Sequence, residues 1–351
     1  MKIAVLVSGG VDSSVALKLL KDEGYDITAF YIKIWLENEL NFLGDCPWND
    51  DLSYVNKVCD KIGVPLEVIS LQKEYCKEIV NYTISEVKAG RTPNPDILCN
   101  SKVKFGVFFN SIDTDYQKIA TGHYAQIDFK NGKFNLVTSP DLIKDQTYFL
   151  AHLSQNQLSK ALFPIGHLSK KEVRLLAHTF DLPNKNRKDS QGICFLGKIK
   201  FKEFIKHHLG IKIGDLIEFE TGKKLSTHDG FWFYTIGQRQ GLGLTGGPWY
   251  VVSKDIENNI VYISRNYHEN DKLRNRFNIT SFNWLNGNRP ESKNLQVKIR
   301  HGETKYNCMI DFLEDNKALV ILEKNDQGIA PGQFAVFYED NICLGSGIIT
   351  Y

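Results

Sequence analysis

The stretch Ser8-Gly9-Gly10-Val11-Asp12-Ser13-Ser14 follows an apolar run at 3–7 and packs two glycines, three serines and a carboxylate into one short turn. A turn that leaves a buried strand and opens a helix presents unpaired N–H groups at the positive end of the helix dipole, and glycines let a phosphate approach them. Hydroxyls of Ser8, Ser13 and Ser14 add donors, and Asp12 could hold a magnesium ion bridging the phosphate oxygens. No Gly-Lys-Ser/Thr closes the loop and the dinucleotide spacing is absent, so neither familiar phosphate fingerprint accounts for it.

Two of the seven cysteines sit in similarly polar company. Cys99 ends the run Gly90-Arg91-Thr92-Pro93-Asn94-Pro95-Asp96-Ile97-Leu98-Cys99, in which two prolines fix a loop that then enters a helix. In the first turn of that helix the dipole would favour its thiolate, and Asp96, three residues back on the same face, suits proton transfer. Cys194 lies in Lys188-Asp189-Ser190-Gln191-Gly192-Ile193-Cys194-Phe195, flanked by Lys185, Arg187 and Lys198, cations that lower a thiol pKa. Cys59, Cys308 and Cys343 fall in apolar periodic patterns and read as core, whereas Cys46 and Cys76 fit neither class. Beside a nucleotide-activating loop, two thiols in polar loops suggest sulfur chemistry. An odd, irregularly spaced set of cysteines is no disulfide framework.

The elements that must position these groups alternate in the first half of the chain. Strands are expected at 3–7, 27–35, 66–70 and 118–121, and helices at 13–23, around Leu52, Val55, Cys59 and Ile62, and at 74–89. Repeated βα units imply an α/β fold, a doubly wound parallel sheet with ligands at the carboxyl ends of its strands. A hairpin about Asn131-Gly132 and a Ser169/Glu172 capping box interrupt that rhythm. Past about residue 205 glycine-rich turns and alternating apolar residues predict a small central β-rich module and then a β-barrel, with domains at 1–204, 205–274 and 275–351.

At 351 residues, with 42% hydrophobic and 12% aromatic content, the chain is expected to bury more than one core. It has no apolar run of membrane-spanning length and no signal-peptide layout, so no membrane partner and a cytoplasmic location are expected. The formal charge is only +2, but residues 183–206 carry seven Lys or Arg against two acids and residues 271–305 eight against three, which suits a polyanion or a solvated surface.

The series SGGVDSS, GRTPNPDILCN, ATGHYA, KDQTYFL and KDSQGICFLG, in this order, resembles the bacterial tRNA-specific 2-thiouridylases, over nearly the whole chain and least in its β-rich final third. The first motif is similar to the loop of the N-type ATP pyrophosphatases, which cleave ATP between the α and β phosphates. The resemblance implies ATP-dependent thiolation of carbon 2 of the wobble uridine, position 34, in tRNA for Lys, Glu and Gln. It implies an ATP site at Leu6, Val7, Ser8, Gly9, Gly10, Val11, Asp12 and Ser13, with Ile32 and Gly122, and Mg2+ on Asp12. Cys99 would be the nucleophile, Cys194 the persulfide carrier and Asp96 the acid-base group. Asn94, Pro95 and Asp96 would meet the target base. His123, Lys144, Asp145, Gln146, Arg300, His301 and Gln333 would touch tRNA, the last three on weaker local matching. The sulfur would come from a cysteine desulfurase or a sulfur relay protein. Three rivals remain at this stage: an ATP pyrophosphatase acting on a small metabolite, an RNA-binding adaptor with a vestigial nucleotide site, and a thiolation enzyme whose third cysteine, Cys46 or Cys76, completes an iron–sulfur cluster.

Overall fold

The computed structural model describes residues 1–34, 48–189, 200–266, 274–314, 316–326 and 328–350; Trp35, Cys46 and Cys194 lie outside them. A five-stranded, all-parallel sheet runs in the order Leu66–Ser70, Asp26–Lys33, Lys2–Leu6, Tyr116–Ala120, Ala161–Leu162. Side chains alternate across a strand, so Ile3, Val5 and Val7 face one layer and Ala4 and Leu6 the other. The helices Val11–Asp22 and Trp48–Ile62 cover the first face with Leu17, Leu20, Val55, Val58 and Cys59. The second face packs on helical segments at 72–88 and 95–111 through Tyr75, Ile79, Val103 and Phe108. The expected α/β architecture is therefore present, with most element ends displaced by only one or two residues. The chain leaves Lys2–Leu6 for strands on one side and returns on the other, so the crevice at the switch point opens between the carboxyl ends of Lys2–Leu6 and Tyr116–Ala120.

The helix that begins at Pro95 widens to π-type turns over Cys99–Val107, where Phe108 N–H donates to Val103 O, five residues back. Gln157 from the helix Gln155–Lys160 braces this widened stretch by donating to Ser101 O at 2.6 Å and Phe105 O at 3.1 Å. Periodicity in the sequence carries no signal for such a turn, because it depends on an outside donor to the freed carbonyls.

The central module is a four-stranded sheet of Gly214–Glu218, Lys224–His228, Tyr250–Asp255 and Ile260–Ser264 around Leu216, Val251, Val261 and Ile263. A helix, Phe201–Leu209, leads into it and packs Phe204 and Ile205 into the core of the parallel-sheet domain. The C-terminal part is a closed barrel in the order Arg276–Trp284, Lys317–Leu322, Tyr306–Phe312, Asn294–Lys298, Phe334–Glu339, Ile342–Thr350, the last strand pairing back onto the first. The hairpin of Ala125–Lys130 and Lys133–Thr138 forms about Asn131-Gly132 as its turn residues require. It also extends the barrel sheet, with Val137 opposite Ile342 and Leu136 opposite Cys343. That junction between chain segments two hundred residues apart has no local sequence signature.

A buried ion pair closes the same junction. Lys298 Nζ lies 2.9 Å from Asp145 Oδ2, and the two side chains are 1% and 0% exposed. Thr147 Oγ1 donates to Asp145, Ser139 N–H adds a bond at 3.2 Å, and Tyr338 OH meets Thr147 Oγ1 at 3.1 Å. Deleting one member leaves the other charge buried without a counter-ion. Lys298→Met alone is expected to cost about 3–5 kcal/mol of stability, and Asp145→Leu with Lys298→Met to recover most of it, read from chemical denaturation followed by barrel tryptophan fluorescence.

Candidate active site

Gly10 is the N-cap of Val11–Asp22 and has no side chain to satisfy the first amides of the helix. The turn is drawn tight by its own serines. Ser13 Oγ and Ser14 Oγ donate to Gly10 O at 3.1 and 2.9 Å, and Ser8 N–H donates to Ser13 Oγ at 3.3 Å. Ser13 and Ser14 are buried, so of the three expected hydroxyl donors only Ser8 is exposed. Gly9, at φ +74°, takes a conformation that favours glycine and lets Arg187 and the Asp51 carbonyl approach. Asn184 Nδ2 and Arg187 donate to Gly9 O at 2.8 and 3.0 Å. Arg187 also pairs with Asp51 and lies over Tyr54, and Lys185 pairs with Asp181 at the surface, so two cations of the basic stretch already have partners within the chain. Across the crevice Gly122 lies so close that a Cβ there would fall 2.7 Å from Ser13 N and 2.8 Å from the Asp12 carbonyl carbon.

Asp12 is already charge-balanced. Lys170 Nζ donates to its two oxygens at 2.7 and 2.9 Å and Tyr124 OH to one at 2.9 Å. Burial and the Asp12 charge push the Tyr124 phenol far up, so it stays a donor. Lys170 also reaches Asp189 at 2.8 Å, which pairs with Lys144 and Arg174. Burial raises the Asp189 carboxyl, but Lys170 and Lys144 outweigh it and hold it at about 2. The crevice therefore suits a polyanion: an uncapped helix end, a neutral phenol and an ammonium that can turn from carboxylate to phosphate. Among the described residues no group of three His, Cys, Asp or Glu could hold a metal by itself, so a magnesium ion fits here only as the companion of nucleotide phosphates, with Asp12 as a single protein ligand. Lys170, Tyr124, Asn184 and Arg187 escape a reading of the sequence because each reaches the loop from more than a hundred residues away.

Asn94 caps the second functional element. Its Oδ1 accepts from Ile97 N–H at 3.4 Å and Pro95 occupies the first helical position. Cys99 N–H is bonded to Pro95 O and Asp96 O, so Cys99 opens the second turn rather than lying in the first, and its side chain is buried at 3% exposure. Asp96 stays half-buried in the turn before it. The other described thiols behave as core. Burial pushes Cys59 up to about 11 and Cys308 up to about 12, and raises Cys343 further. Cys194 and Cys46 lie outside the described residues.

Ile32, expected at the ATP site, is half-buried one residue before the end of its strand. The residues expected at tRNA occupy distinct settings. Gln146 is tied to Tyr124 twice, its N–H donating to Tyr124 O and its side-chain Oε1 accepting from Tyr124 N–H, Lys144 is half-exposed on Asp189, and Asp145 is buried in the ion pair with Lys298. His301 Nε2 meets Asp145 O at 3.2 Å and its ring stacks on Phe149 at 4.6 Å. Arg300 is half-exposed and bidentate to Asp326 at 2.7 Å. Burial, with Lys104 adding to it, drives His123 well below the usual imidazole range, and its Nδ1 meets Thr121 Oγ1 at 2.6 Å. Gln333 Nε2 donates to Thr92 O at 3.0 Å and Pro93 O at 2.9 Å.

A parallel α/β domain with an anion-binding switch point, followed by a small β module and a closed barrel, defines a multidomain nucleotide-dependent enzyme. Its three parts match, in order, the tRNA methyl transferase HUP domain at 1–198, the tRNA methyl transferase PRC-barrel domain at 202–265 and the aminomethyltransferase beta-barrel domain at 274–349. The chain is 45% identical over 360 residues to the tRNA-specific 2-thiouridylase MnmA of Porphyromonas gingivalis, covering 100% of this chain and 99% of that protein. It is 46% identical over 355 residues to the protein of the same name in Parabacteroides distasonis, covering 99% of each. A solved 4-thiouridine synthetase–RNA complex with bound ATP is similar at 12% identity and TM-score 0.34, over 60% of this chain and 50% of that one, too slight a likeness to add to the argument. The chain belongs to the tRNA-specific 2-thiouridylase family of tRNA-modifying enzymes.

Because the Gly122 site has no room for a methyl group against the loop backbone, Gly122→Ala should displace 11–13 and weaken ATP binding about tenfold or more, checked by calorimetric titration with Mg-ATP.

Proposed function

We propose that this protein thiolates carbon 2 of the wobble uridine, position 34, in tRNA for Lys, Glu and Gln, consuming ATP and releasing AMP and pyrophosphate. The reading rests on whole-length similarity of 45% and more to proteins named for tRNA 2-thiouridylation, in a chain whose glycine-serine loop opens a helix with no side-chain cap. Two of the three family descriptions speak of methyl transfer, which needs neither AMP nor pyrophosphate and gives the Cys99 and Cys194 thiols no part.

Residues 6–13, Ile32 and Gly122 would hold ATP, with Mg2+ shared between its phosphates and Asp12, supplying charge neutralisation at the departing pyrophosphate. Lys170 would then turn from Asp12 to the phosphates or to Asp189. The uracil oxygen attacks the α phosphate, pyrophosphate leaves, and the oxygen becomes a good leaving group as AMP. Asn94, Pro95 and Asp96 would receive the splayed base, which an anticodon loop yields for a few kcal/mol. Lys144, Gln146, His123, Arg300, His301 and Gln333 are the proposed tRNA side, with Asp145 anchoring its neighbours from within.

Cys194 would receive a persulfide from a cysteine desulfurase or relay protein. In one route the terminal sulfur attacks C2 and expels AMP, and Cys99 thiolate then attacks the Cys194 sulfur, freeing the thiocarbonyl. In the other Cys99 attacks first and releases hydrosulfide, which attacks C2. Both routes end in a Cys99–Cys194 disulfide that two electrons from a thiol reductant must reopen. Asp96 would manage the proton beside Cys99.

Nucleoside mass analysis of bulk tRNA tests the whole reading: cells lacking this protein should lose 2-thiouridine, and loss of a methylated nucleoside with 2-thiouridine intact would sink it. The roles of the two thiols are separable. Cys194→Ser should take up no labelled persulfide, whereas Cys99→Ser should load sulfur on Cys194 and stall, both still adenylating tRNA; label on the Cys99 peptide of the wild type in non-reducing mass spectrometry would reverse the assignment.

A further inference from the structure

The loop at 90–94 is held by all three parts of the chain. Gly90 lies against the central module, where a Cβ would fall 2.6 Å from Ile256 Cδ1. Thr92 N–H donates to Pro331 O of the barrel at 2.7 Å, and Gly332, at φ +91°, lies so close that a Cβ would fall 2.8 Å from Thr92 O. The barrel side of this contact is itself fixed, since Gly332 N–H donates to Ile349 O and Ile349 N–H to Gln333 O. From that rigid base Gln333 Nε2 donates to Thr92 O and Pro93 O, while Asn94 Nδ2 reaches Gln333 Oε1 at 3.5 Å and Tyr148 OH at 3.4 Å. Asn94 Oδ1 in turn caps the helix of Asp96 and Cys99.

We infer that Gln333 is a positioning residue, acting through Thr92, Pro93 and Asn94 to set the helix turn that carries Asp96 and Cys99. The inference rests on the proposed function for its consequence in catalysis, and on geometry alone for its effect on the loop. An amide can donate two protons to two carbonyls and still accept from Asn94. A carboxylate of nearly the same shape has no proton for either carbonyl and would set its oxygens against theirs. Loss of the clamp frees the N-cap to move, and displacements of an ångström at reacting groups carry large rate penalties.

The test uses the full-length protein as Gln333→Ala and the near-isosteric Gln333→Glu, which keeps the bulk and removes the donors. Amide exchange in the 92–100 peptide should accelerate about tenfold or more in both variants while the 317–322 barrel peptide keeps its protection. Single-turnover thiolation at saturating tRNA should fall about tenfold or more with tRNA affinity within about threefold of wild type. Unchanged exchange at 92–100 in both variants overturns the inference. So does a rate that saturating tRNA restores to the wild-type value, which is the signature of a lost tRNA contact. Failure of the proposed function is read separately, from the wild-type reaction, because the exchange comparison needs no substrate.

Discussion

Asp145 and Lys298 meet where water is excluded, and the arrangement of the catalytic parts depends on that meeting. A carboxylate or an ammonium is costly to bury alone, so each requires the other, and they come from segments that fold into different domains. Thr147, Ser139 N–H and Tyr338 complete the cluster, leaving the pair little freedom in register. With Lys298 fixed, so is its strand. The barrel edge at 331–333 then arrives against Thr92 and Pro93, and the hairpin at 125–138 continues the barrel sheet.

The same economy of charge operates at the nucleotide end. Asp12 projects into a crevice built for anions, where an unneutralised carboxylate would repel the phosphates it is meant to serve. Lys170 removes that conflict by spanning Asp12 and Asp189, and Tyr124 remains a neutral donor because burial and the Asp12 charge raise its pKa. Asp189 gathers Lys144, Lys170 and Arg174 at the end of the described segment. The nucleotide loop and the start of the Cys194 motif thus share one lysine, an electrostatic link between the two steps of the proposed reaction.

Two helix starts carry the proposed chemistry, and they are built differently. Gly10 leaves its helix end open, which suits a ligand that brings its own acceptors. Asn94 closes its helix end, and the outer face of that cap is held by Gln333 and Tyr148. The first end would receive phosphate in the proposed reaction; the second is a helix start that the barrel contacts through Gln333.

What the sequence determined by itself was local. The apolar runs define the parallel strands, Gly9 and Gly10 define the turn, Pro93 and Pro95 define the loop and helix start, Ser169 with Glu172 forms the capping box, and Asn131-Gly132 turns the hairpin. Each follows from backbone preference or side-chain periodicity over a few residues. The motif series also placed the chain in its family. Tertiary structure alone decided that Asp12 is neutralised by Lys170, that Asp145 is buried against Lys298, that the hairpin belongs to the barrel sheet, and that Gln333 grips Thr92 and Pro93. Cys99 moved from the first helical turn to the second because Asn94 caps and Pro95 starts the helix. These contacts join residues separated by up to about two hundred and forty positions, and their partners are chosen by packing and by the exclusion of water, which no local pattern encodes.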